Sequence, residues 1–173
     1  MSTYRTLKGY NIKSVTSDPA NTNEGQIWYN DTVNQIKVNT VKLAAWASGG
    51  NLGQGRSSLA GAGTQTAGLA FGGSSYPPLT RYNLSEEYNG SAWTEGNNLD
   101  QARNSIAGCG TQTAALGFGG YIGPVTGKTE EYNGTSWTEQ NDLNTAGYDM
   151  GSAGTQTAGL GFGGYDSHTD LTE

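Results

Sequence analysis

The stretch AGCGTQTAALGFGG, residues 107–120, occurs three times in this chain with few changes. The other copies are AGAGTQTAGLAFGG, residues 60–73, and GSAGTQTAGLGFGG, residues 151–164. A second shared phrase lies between the copies: EEYNGSAWTEGNNLDQAR, residues 86–103, and EEYNGTSWTEQNDLNTAG, residues 130–147. Repetition at steps of 47 and 44 residues predicts an architecture of stacked units. Residues shared by all units are therefore interpreted as structural, and function is expected where the units differ.

Each unit has the pattern of four short β-strands. From Arg103 to Glu139 these are RNSIAGCG, TAALGFGG, KTEEY and TSWTE. The second segment ends on Gly119-Gly120, where glycine permits a turn and a close backbone approach. Asn133-Gly134 predicts a two-residue type I′ hairpin between the third and fourth strands. The fold class is therefore predicted to be all-β, with four-stranded antiparallel sheets of the propeller-blade type over about 56–95 and 103–139.

The order of shared residues resembles the kelch repeat. That repeat has an apolar strand ending in Gly-Gly, then a Tyr, a Trp, a Leu and an Arg that opens the next unit. The matching residues here are Gly72, Gly73, Tyr88, Trp93, Leu99 and Arg103, then Gly119, Gly120, Tyr132, Trp137 and Leu143, then Gly163 and Gly164. The pattern departs from kelch in the short Tyr-to-Trp spacing and in Gly147, which stands where an Arg is expected. The resemblance covers roughly residues 43–173 and implies a β-propeller fold, but it does not imply an activity.

The tryptophans of the repeat are predicted to pack between blades. Trp93 and Trp137 recur in register, and both are expected to be buried at equivalent places. Trp46 is expected to join them, because AAWASGGNLGQGR matches SAWTEGNNLDQAR.

The blades number about three, at residues 56–99, 103–143 and 147–173, the last stopping at TDLTE. Closed propellers have roughly four to eight blades. We therefore expect an incomplete ring with an open strand edge. Either the chain continues past Glu173 or other subunits supply the missing blades, and a homo-oligomer is expected.

The first 42 residues form a different module. GQIWYN and NQIKVNTV predict two strands joined by a polar turn at Asp31 to Asn34. The phrase GQIWYNDT…IKV resembles short N-terminal segments of bacteriophage virion proteins, especially tail and fibre-type proteins of marine and cyanobacterial phages, and so does the GTQTA array. This resemblance implies attachment to other virion proteins. Trp28 and Tyr29 are candidate attachment residues or the core of the module, and the hairpin alternatively supplies inner strands of the first blade.

Composition narrows the function classes. A net charge of −6 offers no basic surface for nucleic acid, and no run of apolar residues is long enough to span a membrane. The N-terminus has no apolar signal-peptide core. Cys109 is the single cysteine and occupies the place of Ala62 and Ala153, so it is interpreted as a small buried residue. These features fit a protein made in the host cytoplasm and assembled into a virion.

No catalytic, cofactor or metal site is predicted, and the protein is not expected to be an enzyme. GAGTQTAG lacks the following helix of a phosphate-binding loop. His168 is the only histidine, too few for a catalytic triad or a zinc site built on histidines. The pairs Glu86-Glu87 and Glu130-Glu131 place neighbours on opposite sides of a strand, so neither pair can form an acid–base couple. They are expected to be solvated sheet-edge residues.

The loops that follow each Gly-Gly differ most between units: residues 74–85, 121–128 and 165–170. They carry Tyr76, Tyr82, Tyr121 and Tyr165, which are candidate binding residues, although loops can also drift in length without selection. The sequence is therefore interpreted as a non-enzymatic phage structural protein of a tail fibre or surface appendage, with loops that bind a host-surface glycan or protein. An intracellular kelch-type interaction scaffold and a polysaccharide-acting propeller enzyme are the alternatives.

Overall fold

A computed structural model describes residues 3–7, 10–20, 26–39, 46–165 and 172–173. Within these ranges all regular secondary structure is β-strand, which confirms the all-β prediction. The chain divides into two compact units, Met1–Ala47 and Ser48–Glu173.

The N-terminal unit contains one four-stranded sheet. Its strands, in sheet order, are β1 (Thr3–Leu7), β2 (Tyr10–Val15), β3 (Ile27–Asn30) and β4 (Gln35–Val38). β2 and β3 pair in parallel, and the other two pairings are antiparallel. The turn at residues 31–34 lies where the sequence predicts it, and Asn34 adopts a φ of 54°, which Asn tolerates better than most residues. Because this hairpin shares a sheet with β1 and β2, the alternative that it supplies inner strands of the first blade is wrong.

The second unit contains three sheets built on the repeat. The first repeat sheet is β5 (Ala60–Thr64), β6 (Ala67–Phe71), β9 (Ser85–Tyr88) and β10 (Trp93–Glu95). The second repeat sheet is β11 (Ala107–Thr111), β12 (Ala114–Phe118), β13 (Thr129–Tyr132) and β14 (Trp137–Glu139), and the third is β15 (Gly151–Thr155) and β16 (Ala158–Phe162). A small hairpin, β7 (Ser74–Ser75) and β8 (Thr80–Arg81), extends from the first repeat.

The two complete repeat sheets are antiparallel throughout, as predicted. Their first strands begin at Ala60 and Ala107, a few residues later than the sequence pattern suggests. The reason is local: Ser58 and Ser105 adopt positive φ angles of 52° and 53°, which interrupt an extended backbone. The described residues contain no closed ring of sheets.

The Gly-Gly pairs link each repeat to the next. Gly72 and Gly73 have φ angles of 67° and 102°, a region that side-chain-bearing residues rarely adopt. This turn aims the Gly73 amide at the carbonyl of Arg103, 2.9 Å away in the next repeat. Gly120 makes the equivalent bond to Gly147 at 2.8 Å. The recurrence of Gly-Gly is thus a requirement of the connection between sheets.

The Asn-Gly turns differ from the sequence prediction. Tyr88 pairs with Trp93, so the loop between β9 and β10 has four residues and is not a two-residue type I′ turn. Asn89 acts through its side chain: Oδ1 accepts the Ser91 amide at 3.0 Å and the Ala92 amide at 2.9 Å. The Asn89 side chain therefore closes an Asx turn, and the Asn-Gly sequence alone does not distinguish this turn from a type I′ turn.

The sheets pack face to face, and each has two distinct faces. We call the face of the first sheet that carries Leu69 and Phe71 its rear face and the opposite face its front face, and we use the same names for the equivalent faces of the other repeat sheets. Phe71 is fully buried and lies on Gly117 at the front face of the second sheet, where a Cβ would stand 2.7 Å from the ring. The interior between these two sheets contains a cluster of buried residues: Ala60, Leu69, Phe71, Leu99, Ile106, Ala115 and Tyr132. A smaller cluster of Ala107, Cys109 and Phe118 lies toward the third sheet.

The tryptophans follow the prediction only in part. Trp93 and Trp137 hold equivalent places at the start of β10 and β14 and pack at a tilt against Tyr88 and Tyr132, but both are partly buried rather than buried. The prediction for Trp46 is wrong, because its side chain is fully exposed. Trp46 lies outside any strand, so the sequence match does not give it the sheet surface on which the other two pack.

Candidate functional site

The repeats share a backbone and differ in side chains directly after each Gly-Gly. Three isolated antiparallel bridges stand in register at this level: Ser57 with Ser74, Asn104 with Tyr121, and Tyr148 with Tyr165. Each pair is closed by two backbone hydrogen bonds of 2.8–3.2 Å. The backbone is therefore constant while the side chains change from Ser and Ser, through Asn and Tyr, to Tyr and Tyr. This is the kind of position at which function was expected.

The larger side chains of these bridges form a continuous aromatic row. The rings of Tyr121 and Tyr148 are 5.8 Å apart and tilted by 56°. The rings of Tyr148 and Tyr165 are stacked, 5.5 Å apart with an interplanar angle of 21°. Tyr165 is well exposed, and the other two rings are partly exposed. We call these three residues the tyrosine row.

Arg81 lies at one end of the tyrosine row. Its guanidinium carbon stands 5.0 Å from the centre of the Tyr121 ring, within the range of a cation–π interaction. Its Nε donates to Asn104 Oδ1 at 3.0 Å, which fixes the plane of the guanidinium group. Planar guanidinium groups also bind carboxylate and phosphate groups. The row therefore combines flat aromatic surface with one oriented cation.

The structure separates the four tyrosines chosen from sequence into two groups. Tyr121 and Tyr165 belong to the tyrosine row, and Tyr148 joins them. Tyr76 is highly exposed in the loop between β7 and β8. Tyr82 is partly buried, and its hydroxyl lies 2.9 Å from Ser75 Oγ. Of the loop 165–170 only Tyr165 is described, so His168 lies outside the described residues.

Tyr148 was not among the residues chosen from the sequence. It directly follows Gly147 and precedes β15, at the place that Ser57 and Asn104 hold in the other repeats. A comparison of loop lengths alone does not identify Tyr148, because this position varies in side chain and not in loop length. Alignment of the repeats residue by residue reveals the signal.

The paired glutamates are not solvated edge residues, and that expectation is wrong. Glu130 is buried on the front of the second sheet, where Oε1 accepts from Arg103 Nη2 at 2.8 Å and Oε2 accepts the Asp100 amide at 2.8 Å. Glu86 makes the same contacts in the first repeat, to Arg56 at 2.5 Å and the Gly53 amide at 2.7 Å.

The neighbouring carboxylates do face the opposite side, as alternation along a strand requires. Glu87 accepts the Tyr132 hydroxyl at 2.6 Å across the two sheets. Burial raises the pKa of Tyr132, and the Glu87 carboxylate raises it further. The phenol therefore stays protonated and available as a donor.

Burial acts in opposite directions on the two ends of the ion pair. It lowers the pKa of Arg103 and raises the pKa of Glu130, while the Asp100 amide and Arg103 partly oppose the second change. The Arg103 guanidinium also donates to the Gly119 and Lys128 carbonyls, while its buried Nε has no hydrogen-bond partner in the structure. The arrangement therefore joins sheets together and does not form an acid–base site.

In the N-terminal unit, Trp28 is buried and Tyr29 is partly buried. The Trp28 indole donates to Asp18 Oδ1 at 3.0 Å, and Asn30 and Lys37 also donate to Asp18 at 2.7 and 2.8 Å. The bond from Lys37, followed by those from Asn30 and Trp28, lowers the pKa of Asp18 to about 2. Trp28 therefore lies in the core of the N-terminal unit, which is one of the two roles that the sequence suggested for it.

Among the described residues no group of three or more His, Cys, Asp or Glu side chains is placed to hold a metal ion. No helix in that part of the chain is long and apolar enough to cross a membrane. Cys109 is buried, as its place in the repeat suggests, and burial raises the pKa of its thiol.

The chain matches no protein-family model, and a search of curated proteins gives no significant match.

Proposed function

We propose that this protein is a non-enzymatic phage virion component, of a tail fibre or another surface appendage, whose kelch-like blades present a binding surface to the host. Residues 1–42 attach it to other virion proteins. The tyrosine row, with Arg81 at its end, binds a polysaccharide of the host surface. The blade assignment is supported by the repeated four-stranded sheets and the recurring Gly-Gly, Tyr and Trp residues. The virion assignment is supported by the N-terminal and GTQTA phrases of the sequence.

The observation that carries the binding proposal is the graded series of cross-strand pairs. The backbone bonds of the bridges are the same in all three repeats, so these bonds do not require tyrosine at the bridge positions. Aromatic side chains at exposed positions supply large, rigid contact area at a low cost in conformational entropy. Two of the three repeats carry them here, and their rings touch.

The ligand class follows from the shape and charge of the row. Tyrosine rings offer apolar faces on which the C–H faces of sugar rings can stack, and phenol hydroxyls that can bond to sugar hydroxyls. Arg81 adds one cation suited to a uronic acid carboxylate or a phosphate substituent. An acidic or neutral surface polysaccharide fits this combination. Many copies on one particle give weak single sites a high overall affinity.

The test uses the pair that the first repeat already carries. The variant Tyr148→Ser/Tyr165→Ser gives the third repeat the side chains of Ser57 and Ser74, so the backbone bridge is kept. Binding to a panel of bacterial surface polysaccharides is measured by glycan array and then by calorimetry. We expect at least about a tenfold loss of affinity, equal to about 1.4 kcal/mol.

Tyr76→Ser is the control, since it removes a still more exposed tyrosine outside the row. It is expected to bind like the unchanged protein. Binding of no polysaccharide by the unchanged protein, or equal binding by the double variant, would show that the row is not a receptor site. The protein would then be better described as a passive structural element of the particle.

A further inference from the structure

One ion pair of the second repeat has no counterpart in the first. Lys128 directly precedes β13, and its Nζ donates to Glu139 Oε1 on β14 at 2.6 Å. The hydrogen bond to Glu139 raises the pKa of Lys128, so this amine is held as an ammonium. The second repeat therefore shows what a carboxylate at this place can bind, which is a primary ammonium at the end of an apolar stem.

Glu95 of the first repeat holds the place of Glu139. Each residue ends the last strand of its sheet, two positions after the repeat tryptophan. Each also has a glutamate as its pairing partner, Glu86 in the first sheet and Glu130 in the second. Within the part of the chain that the structure describes, Glu95 makes no hydrogen bond and no ion pair. The first repeat therefore keeps the carboxylate without its cation.

Leu84 accounts for this difference, because it holds the place of Lys128. Leu84 directly precedes β9, and its carbonyl accepts the Gly72 amide at 2.9 Å. Lys128 directly precedes β13, and its carbonyl accepts the Gly119 amide at 3.0 Å. The two backbones are thus alike, and the first repeat has apolar surface where the second has an ammonium group.

A cleft of about 350 Å³ lies at this place in the first repeat, and Leu84, Glu86, Trp93 and Glu95 are among the residues that line it. Leu84 and Trp93 supply apolar surface, and Glu95 supplies an unpaired carboxylate. The charge of Glu86 is already balanced by Arg56, 2.5 Å away. A cleft of this volume is within the range of sites that bind small ligands.

The second repeat has different neighbours at the equivalent place. Phe71 of the first sheet lies against Trp137, with the two ring centres 4.7 Å apart. Beside this contact Lys128 reaches Glu139. The second repeat therefore meets its carboxylate with its own lysine, whereas the first repeat combines the carboxylate with a cleft.

We propose that the cleft beside Trp93 binds a primary alkylammonium group, whose ammonium donates to Glu95 as Lys128 donates to Glu139. The stem of the ligand lies along Leu84 and Trp93, and an indole ring also attracts a cation. Two carboxylates disfavour an anion here, and a hard metal ion would meet too few unpaired oxygen ligands. A lysine side chain of a protein and a free amine share this chemistry. The cleft has no residue in common with the tyrosine row and does not depend on the proposed polysaccharide binding.

The test is a titration of the full chain with n-butylammonium at constant ionic strength, followed through the tryptophan indole N–H signals in heteronuclear NMR spectra. The Trp93 signal, assigned with Trp93→Phe, is expected to shift and to saturate, while the Trp137 signal stays unchanged. n-Butanol, which has the same stem without the charge, is expected to give no saturable shift. Glu95→Gln is expected to weaken binding by at least about fivefold. Glu139→Gln is the matched control and is expected to bind like the unchanged protein.

Two exchanges between the repeats separate the cleft from a bare carboxylate. Leu84→Lys gives the first repeat the cation of the second, which is expected to pair with Glu95 and abolish binding of n-butylammonium. Lys128→Leu frees Glu139 at the place where Phe71 lies against the indole ring. This variant is expected to keep the first site and to gain no second one.

The peptide acetyl-Gly-Lys-Gly-amide distinguishes the two sources of the ammonium group. Tighter binding of the peptide than of n-butylammonium would assign the cleft to a lysine side chain of a protein, and equal or weaker binding would assign it to free amines. The proposal is overturned if the Trp93 signal shows no saturable shift, or if Glu95→Gln or Leu84→Lys binds as well as the unchanged protein. An equal second site in Lys128→Leu would also overturn it, since a free carboxylate would then be sufficient without the cleft.

Discussion

The two interfaces between the repeat sheets have the same backbone arrangement but differ in the side chains that pack there. We call the contact between the first and second sheets the first interface, and that between the second and third sheets the second interface. The first contains the buried Arg103–Glu130 pair and the contact of Trp137 with Phe71. The second has Gly147 in place of the arginine, and its carboxylate, from Glu173, accepts the Asn144 and Thr145 amides at 2.7 and 2.8 Å.

The comparison separates the contacts that occur in all three repeats from those that occur in only some of them. The carboxylate and the backbone amide that it accepts recur at Gly53, Asp100 and Asn144, so this bond is common to all repeats. The arginine occurs in two repeats, and the third is assembled without it. At the second interface a cavity of about 280 Å³ lies beside Leu116, Phe118 and Glu173. The first interface is therefore expected to be the more stable of the two.

Removal of Arg103 is expected to have the largest effect. Arg103→Met leaves Glu130 buried without its cation, and breaking one side of a buried pair costs about 3–5 kcal/mol. The change also removes the hydrogen bonds that the Arg103 guanidinium donates to the Gly119 and Lys128 carbonyls, at 3.2 and 2.6 Å. Chemical denaturation measures the change in the free energy of unfolding.

Glu173→Gln is the matched change at the second interface. It keeps a side-chain oxygen as acceptor and buries no unpaired charge, so it is expected to cost only about 1 kcal/mol. Adding Glu130→Leu to Arg103→Met should recover much of the lost stability. Equal losses for Arg103→Met and Glu173→Gln would mean that the buried pair does not distinguish the two interfaces.

Replacing Trp93 and Trp137 measures how much stability a repeat tryptophan contributes when another sheet packs against it and when none does. Full burial would imply a loss of about 3–5 kcal/mol on truncation to alanine. Because Trp137 is only partly buried but touches Phe71, we expect Trp137→Ala to cost about 2–3 kcal/mol. Trp93 packs at a tilt against Tyr88 beside an open cleft, and Trp93→Ala is expected to cost about 1 kcal/mol.

Thermal and chemical unfolding provide this comparison. If Trp93→Ala proves as costly as Trp137→Ala, the packing of Trp137 against Phe71 adds nothing. The proposed difference between a covered and an open front face would then be lost.

The sequence predicts the local structure well because the repeat carries its own turn and strand residues. Gly72-Gly73 and Gly119-Gly120 end strands as expected, and the strands on either side of Asn89 and Asn133 pair as expected. The turn itself was misjudged, because asparagine can act through its backbone or its side chain, and composition does not distinguish the two. The prediction for Trp46 failed because a motif match does not supply the surface that buries a side chain.

Contacts between sheets were beyond the sequence argument. Arg103 and Glu130 are 27 residues apart, and only the packing of sheets brings them together. The same is true of Tyr148, which becomes a candidate only when its bridge to Tyr165 and its ring contact with Tyr121 are known. Periodicity identified which residues repeat, but it did not show which of them meet.

The smallest and sharpest test is to give the second interface the missing arginine. Gly147 has an ordinary backbone conformation, and a Cβ there meets first the flexible Met150 side chain, with sulphur at 3.1 Å. Gly147→Arg is expected to pair with Glu173 as Arg103 pairs with Glu130. Since burial of the guanidinium offsets most of the attraction, the gain in stability should stay under about 1 kcal/mol.

Cysteine reactivity can resolve a change of this size. Cys109 lies at the second interface, where its thiol is 3.6 Å from the Thr155 carbonyl, so its alkylation reports local opening there. Ala62 holds the equivalent place at the first interface, and the variant Ala62→Cys/Cys109→Ala moves the probe to it. We expect Cys109 to be alkylated about tenfold faster than the thiol of that variant, a difference of about 1.4 kcal/mol in opening free energy. Gly147→Arg should narrow this ratio, and adding Glu173→Gln should restore it. Equal rates at both positions would show that the second interface is as tightly closed as the first without an arginine, and that the buried pair contributes little to holding neighbouring sheets together.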